Sequence, residues 1–113
     1  MNLHIRTPLV KSEKLSEYSD KNIYLKLENI QPAGSFKIRG IGLLCQRAKE
    51  EGKKHFVSSS GGNAGYATAY AGNKLNTTTT VFVPETTLPE SIIKIESLGA
   101  KVIVKGEVWD ETD

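Results

Sequence analysis

Gln31-Pro32-Ala33-Gly34-Ser35-Phe36-Lys37-Ile38-Arg39-Gly40 is the stretch on which the reading of this chain turns. Before it, Ile23 to Glu28 has the composition of a strand. After it, a helix is predicted from about Ser35 to Glu51. Pro32 and Gly34 punctuate the turn between them, and Ser35 is the expected N-cap. Lys37 then falls in the first helical turn, between Phe36 and Ile38. A helix N-terminus carries partial positive charge and disfavours an ammonium by up to about 1 kcal/mol. Apolar neighbours act in the same direction. A neutral amine is the nucleophile that Schiff-base chemistry needs. Read alone, the decapeptide describes equally well a solvated lysine whose stem packs on the turn.

Composition narrows the rest. A chain of 113 residues has room for one small domain at most. Its net charge of +2, with lysines interspersed among glutamates, gives no footprint for nucleic acid. The single Cys45 excludes an internal disulfide and offers no metal-ligand spacing. No apolar run is long enough to span a membrane, and Met1 to Val10 has no signal-peptide core, so a soluble cytoplasmic protein is expected.

Outward from the decapeptide, Thr7-Pro8-Leu9 reads as an extended lead-in. Lys11 to Tyr18 reads as a short helix with Leu15 and Tyr18 on one face. Within the helix after Lys37, Ile41, Leu44, Cys45 and Ala48 form the apolar stripe, and Gly52 is the stop. Gly40 and Gly42 each weaken that helix by about 1 kcal/mol relative to alanine, which points to close backbone approach by a neighbour. Cys45, on the apolar side, is expected to be a buried structural thiol. His55 to Ser58 is a strand, followed by the turn Ser59-Ser60-Gly61-Gly62-Asn63-Ala64-Gly65. The helix after it, running to about Leu75, is built of small residues that let it lie close to neighbours on more than one side. Asn76 is its stop. Thr79 to Val83 is a strand, Pro89 opens a helix with Ile92, Ile95 and Leu98 at helical spacing, and Lys101 to Val104 is a further strand. Asp110, Glu111 and Asp113 suit the first turn of another helix, and Trp109 suits a core position in a longer chain, so a fragment or truncated product is expected.

Strands alternating with helices from residue 55 onward imply an α/β fold with an open, mostly parallel sheet and covering helices. In such sheets ligands gather at the carboxyl ends of strands, beside helix N-termini. The two turns, 31–37 and 58–65, both follow strands and open helices, so both are expected at the edge of one cleft. The hydroxyls and free N–H groups of Ser58 to Asn63 suit a small anion such as a carboxylate or phosphate; they equally suit a plain capped turn. Neither G-x-x-x-x-G-K-[ST], G-x-G-x-x-G nor G-x-S-x-G occurs. His4 and His55 lack ligand spacing, so no metal is expected.

Glu28-Asn29-Ile30-Gln31-Pro32-Ala33-Gly34-Ser35-Phe36-Lys37-Ile38-Arg39-Gly40-Ile41 resembles the cofactor-lysine segment of the tryptophan-synthase-β-like, fold type II, pyridoxal-phosphate enzymes. Among them it looks most like the L-serine/L-threonine dehydratases. Ser59 to Gly65 resembles that family's asparagine loop, and Thr7-Pro8-Leu9 and Val81-Phe82-Val83-Pro84 also fit. The resemblance runs from about residue 4 to residue 113. It implies that residues 1–33 are the N-terminal part of a large catalytic domain, and that 34–113 are a small α/β domain incomplete at its C-terminus. It also implies pyridoxal 5'-phosphate as cofactor, an amino-acid substrate, and a homodimer in a full-length form. The implied reaction is deamination of L-serine, with L-threonine as alternative substrate, to pyruvate or 2-oxobutanoate and ammonia by α,β-elimination.

Carried onto matching residues, the resemblance makes Lys37 the Schiff-base lysine and the base that removes the α-proton. Phe36 would pack on a face of the cofactor ring, and Asn63 would hydrogen-bond the ring hydroxyl. Ser60, Gly61, Gly62, Asn63 and Ala64 would bind the substrate carboxylate. The glycine-rich phosphate loop and the residue facing the pyridine nitrogen are not in this sequence. Two other readings follow from the same residues: a truncated, catalytically inactive dehydratase-like protein, and a change of chemistry within the family, to a serine racemase, which shares Ser-Phe-Lys-Ile-Arg-Gly, or a cysteine synthase.

Overall fold

The computed structural model describes residues 1–106. The helix start expected at Asp110 to Asp113 and the core position expected for Trp109 lie outside them.

The chain opens with a two-stranded antiparallel sheet. β1 (Leu9–Lys11) and β2 (Tyr24–Lys26) pair with Leu9 opposite Lys26 and Lys11 opposite Tyr24. The strand expected over 23–28 is thus shorter, because Glu28 already belongs to a 3-10 turn, Glu28–Ile30. Its partner arises where the sequence showed only an extended lead-in; pairing across the chain, not local pattern, makes β1 a strand. Between them, α1 (Glu13–Ser19) is capped by Ser12, whose Oγ accepts from the Leu15 N–H at 3.2 Å. Leu15 and Tyr18, the expected apolar face of α1, are exposed.

The second sheet is parallel, in the order β3-β4-β5, with β3 (His55–Ser58), β4 (Thr78–Val83) and β5 (Lys101–Val104). Val57 stands opposite Thr80, and Val81 opposite Val102. The crossovers are α3 (Asn63–Lys74) and α4 (Pro89–Ser97). Pro89 starts α4 because the missing N–H costs nothing at the first helical position. Gly52, Asn76 and Gly99 all follow helices with positive φ, as a left-handed helix exit requires.

α3 is the central element and touches α2 (Ile38–Glu50), β3, β4 and α4. Three apolar clusters meet along it. Ala69 packs with Val81, Val83, Ile95 and Ala100. Ala67 packs with Ala33 and Ile38, and Ala71 with Cys45 and Phe56. The approach is close enough that two positions exclude any side chain. A Cβ on Gly72 would lie 1.9 Å from Thr79 Oγ1 and 3.0 Å from the Thr77 carbonyl. A Cβ on Gly65 would lie 1.8 Å from the Ser60 carbonyl oxygen.

The buried stripe of α2 differs from the expected one. Ile38, Gly42 and Cys45 are buried, whereas Leu44 is 67% exposed. Leu3 packs over Gly42, its Cβ 3.3 Å from where a glycine Cβ would stand. Ile41 and Ala48 pack against the cluster of Cys45, Phe56 and Ala71, so of the expected stripe Leu44 is the residue that faces outward. The close approach expected at the two glycines occurs at Gly42, while a Cβ on Gly40 would meet nothing within 4 Å.

Two outcomes follow from this packing. Gly72→Ala should lower stability by about 1–3 kcal/mol, since neither β4 nor the 77 carbonyl can retreat from α3, and a urea midpoint measures it. Burial pushes the Cys45 thiol up to about 11, so little thiolate exists at neutral pH. Its reaction with a disulfide reagent should be slow in the folded protein and should accelerate with unfolding.

Candidate active site

Two loops build the site, one before α2 and one before α3. In the first, the Gly34 N–H donates to the Gln31 carbonyl at 2.8 Å, and Gly34 takes φ +76°. A Cβ there would meet open space, so the glycine is required by backbone conformation rather than by crowding. Ala33 and Ser35 point inward and are buried, while Phe36 is 60% exposed. Lys37 is half-buried.

The start of α2 differs from the sequence reading. Ser35 is not the N-cap, and Lys37 is not inside the first turn. Lys37 itself occupies the cap position with φ −61° and ψ −23°, and the helix begins at Ile38. The Ser35 hydroxyl accepts the Lys37 N–H at 3.4 Å, a local turn just ahead of the helix. The Arg39 N–H then donates to the Phe36 carbonyl and the Ile41 N–H to the Lys37 carbonyl, both at 3.0 Å. Lys37 thus stands at the mouth of the helix, beside an exposed aromatic ring.

A polar network brackets this loop. Glu28 Oε1 accepts from Arg39 Nε at 2.8 Å and lies 2.8 Å from the guanidinium's terminal nitrogen. Gln31 Nε2 donates to Glu28 Oε2 at 2.6 Å and to the Ile5 carbonyl at 2.8 Å. Gln31 Oε1 accepts the Ile5 N–H at 2.9 Å. The buried Gln31 amide is therefore satisfied by backbone on one side and carboxylate on the other. Desolvation alone would raise the Glu28 carboxyl pKa. The hydrogen bonds from Gln31 and Arg39 and the charges of Arg39 and Lys26 outweigh it and hold that pKa below the ordinary value. Sequence reasoning missed this network because Glu28 and Arg39 are joined only across a folded loop. The one local signal was the three-residue spacing of Glu28 and Gln31 on a single turn.

In the second loop the Gly62 N–H donates to Ser60 Oγ at 3.2 Å, and Gly62 is the N-cap of α3 with no side-chain cap. The leading N–H groups of α3 are thus left without a side-chain acceptor, as an anion site requires. Gly65 brings the helix down onto the Ser60 carbonyl. A Cβ on Gly61 would lie 2.9 Å from the Thr87 side chain, so the loop also rests on the segment before α4.

The loops meet as the sequence suggested. A cleft of about 440 Å³ is lined by Gln31 to Gly34 from one loop and by Gly61, Gly62 and Asn63 from the other. Tyr66, Ser91 and Lys94 complete its wall, and none of these three was singled out from sequence. A second cleft, of about 450 Å³, is lined by Phe36, Lys37 and Ala64. The seven candidate residues therefore divide. Gly61, Gly62 and Asn63 line the first cleft, and Phe36, Lys37 and Ala64 line the second. Ser60 lines neither and acts on the Gly62 amide. Among the described residues no group of three His, Cys, Asp or Glu could hold a metal, and His55 Nε2 is 2.8 Å from Thr80 Oγ1. No helix among them is long and apolar enough to cross a membrane.

A lysine at a helix mouth, an exposed aromatic ring beside it and an uncapped helix start on a parallel sheet define a fold of a recognised kind. The sequence model of the pyridoxal-phosphate dependent enzymes matches residues 1–113, and the chain belongs to that family. It is 47% identical over 110 residues to the human "Serine dehydratase-like" protein, covering 97% of this chain and 33% of that one. A Saccharomyces cerevisiae protein named "Putative truncated L-serine dehydratase" is 43% identical over 119 residues, covering 100% of this chain and 94% of that one. Among solved structures, a fungal L-serine ammonia-lyase from Rhizomucor miehei superposes with a TM-score of 0.89 at 32% identity, covering 99% of this chain and 36% of that one. The chain thus spans about a third of the length of the serine dehydratase-like relative and of the ammonia-lyase.

The Glu28 network sets a pH dependence. Its carboxyl pKa is lowered on folding, so its stabilisation is complete above the ordinary carboxylate pKa and is lost as pH falls through the folded one. The acid limb of the stability profile should flatten in Glu28→Gln, with the difference from wild type vanishing at the lowest pH; paired thermal melts across pH check this.

Proposed function

We propose that this chain carries the lysine-bearing part of a pyridoxal-phosphate-dependent ammonia-lyase that deaminates L-serine, with L-threonine as alternative substrate. The observation that carries the reading is the placement of Lys37, with Phe36, across one cleft from Ala64, the residue that follows Asn63 in the second loop. The residues present suit the cofactor: an amine to hold its aldehyde carbon, an exposed ring to stack on its plane, and an amide at the start of α3. When bound, the cofactor supplies an electron sink for the charge left at the substrate α-carbon.

This chain's own residues would do the rest. Lys37 would hold the cofactor through its side-chain nitrogen and serve as the base at the α-carbon. Phe36 would cover one face of the cofactor ring, and Asn63 would hydrogen-bond its hydroxyl. Ser60, Gly61, Gly62, Asn63 and Ala64 would receive the substrate carboxylate at the N-terminus of α3, where free N–H groups and the helix dipole favour negative charge. Loss of the α-proton and the β-hydroxyl, followed by hydrolysis, gives pyruvate and ammonia from L-serine. Residues 1–33 would belong to the larger domain and 34–113 to the smaller one; the separation of the β1–β2 sheet from the β3-β4-β5 sheet supports this division. The 43% identity to a truncated yeast dehydratase of nearly the same length supports a second reading, in which the chain keeps the lysine without turnover.

Borohydride trapping separates these readings from chance amine chemistry. With pyridoxal phosphate and reductant, Lys37 should carry most of the label mapped by mass spectrometry, and Lys37→Ala should lose it. Label spread over Lys26, Lys49, Lys53 and Lys54 would remove the assignment. Incubation with L-serine then distinguishes a lyase, which forms oxo acid, from a racemase, which forms D-serine, and from a chain without turnover, which forms neither.

A further inference from the structure

The polar network at Glu28, Gln31 and Arg39 places a cation at a helix start. Arg39 is the second residue of α2, where a cation is opposed by the helix dipole. It is tolerated there because it bonds Glu28 through both Nε and a terminal nitrogen. Glu28 is in turn oriented by Gln31, whose amide is locked to both backbone groups of Ile5. The chain of contacts runs from the N-terminal segment through the 3-10 turn to the first turn of α2, on either side of Lys37. Helix ends fray unless something outside the helix holds them. Here the holding groups lie two residues beyond Lys37 and six and nine residues before it.

We infer that Glu28, Gln31 and Arg39 are positioning residues for Lys37, fixing the helix mouth from which its amine projects. The inference rests on the assignment of Lys37 above, but its backbone part can be read without any cofactor. Lys37 offers its carbonyl to the Ile41 N–H, so exchange of that amide reports whether the helix mouth stays closed. The same network predicts an order among variants. Arg39→Gln removes the charge and the two-point contact. Arg39→Lys keeps the charge but cannot make both bonds.

The test uses the full chain in two measurements. Hydrogen exchange at the Ile41 amide should quicken at least tenfold in Arg39→Gln and in Glu28→Gln, and by less in Arg39→Lys. The Tyr66 amide of α3 should change by less than threefold. An equal rise at both amides would make the network a general stabiliser and overturn the inference, as would an unchanged Ile41. In the second measurement, pyridoxal-phosphate labelling at Lys37 should fall at least threefold in Arg39→Gln and recover by half or more in Arg39→Lys. Faster Ile41 exchange with undiminished labelling would overturn the positioning role. Failure of the Lys37 assignment would show differently, as an absence of preferred labelling at Lys37 in the wild-type chain itself.

Discussion

The close approach of α3 to everything around it is the constraint on which this structure depends. A helix whose contact positions are glycine, alanine and threonine can touch a sheet, two helices and a loop at once, because backbone separation is set there by Cβ size. Gly72 admits the Thr79 hydroxyl, and Gly65 admits the Ser60 carbonyl, at distances no Cβ allows. The second contact has a chemical consequence. It brings the loop 58–62 down onto the N-terminal end of α3, where no side chain caps the helix.

The loop before α2 is ordered by a different means. Its apolar anchors are Ala33 and Ile38, which pack against Ala67 of α3. Its polar anchors are Gln31 and Glu28, which tie it to the N-terminal segment and to Arg39. Between these anchors only Phe36 and Lys37 turn outward. A short segment pinned at both ends can hold a side chain steady without burying it. The two loops, one fixed by small residues and one by a polar clamp, then meet along adjoining clefts.

Membership of the pyridoxal-phosphate dependent enzymes gives this geometry its chemical sense. Within that family, the loop bearing Phe36 and Lys37 and the loop bearing Asn63 line separate clefts of one α/β scaffold. The chain spans about a third of the human serine dehydratase-like relative, yet the two loops and their supporting helices fall inside that third. Lys37 and the loop 58–65 are therefore physically one unit, linked through the packing of α2 on α3.

Local chemistry in the sequence determined the elements and the identity of the two loops. Pro89, Gly52, Asn76 and Gly99 mark helix limits because their backbone preferences operate without any partner. The glycines and alanines of α3 pointed to close packing, since they let neighbouring backbones approach. The turns 31–37 and 58–65 were legible because glycine and serine clusters between a strand and a helix have few structural alternatives. Only the tertiary structure decided what depends on contacts between distant residues. β1 became a strand through pairing with β2, Leu3 from the N-terminal segment covered Gly42 while Leu44 stayed exposed, and α2 began at Ile38. The Glu28–Gln31–Arg39 clamp, with Tyr66, Ser91 and Lys94 on the cleft wall, belongs to the same class. No periodicity encodes them, because an ion pair across a loop is specified by where the backbone returns, and that is settled by the core.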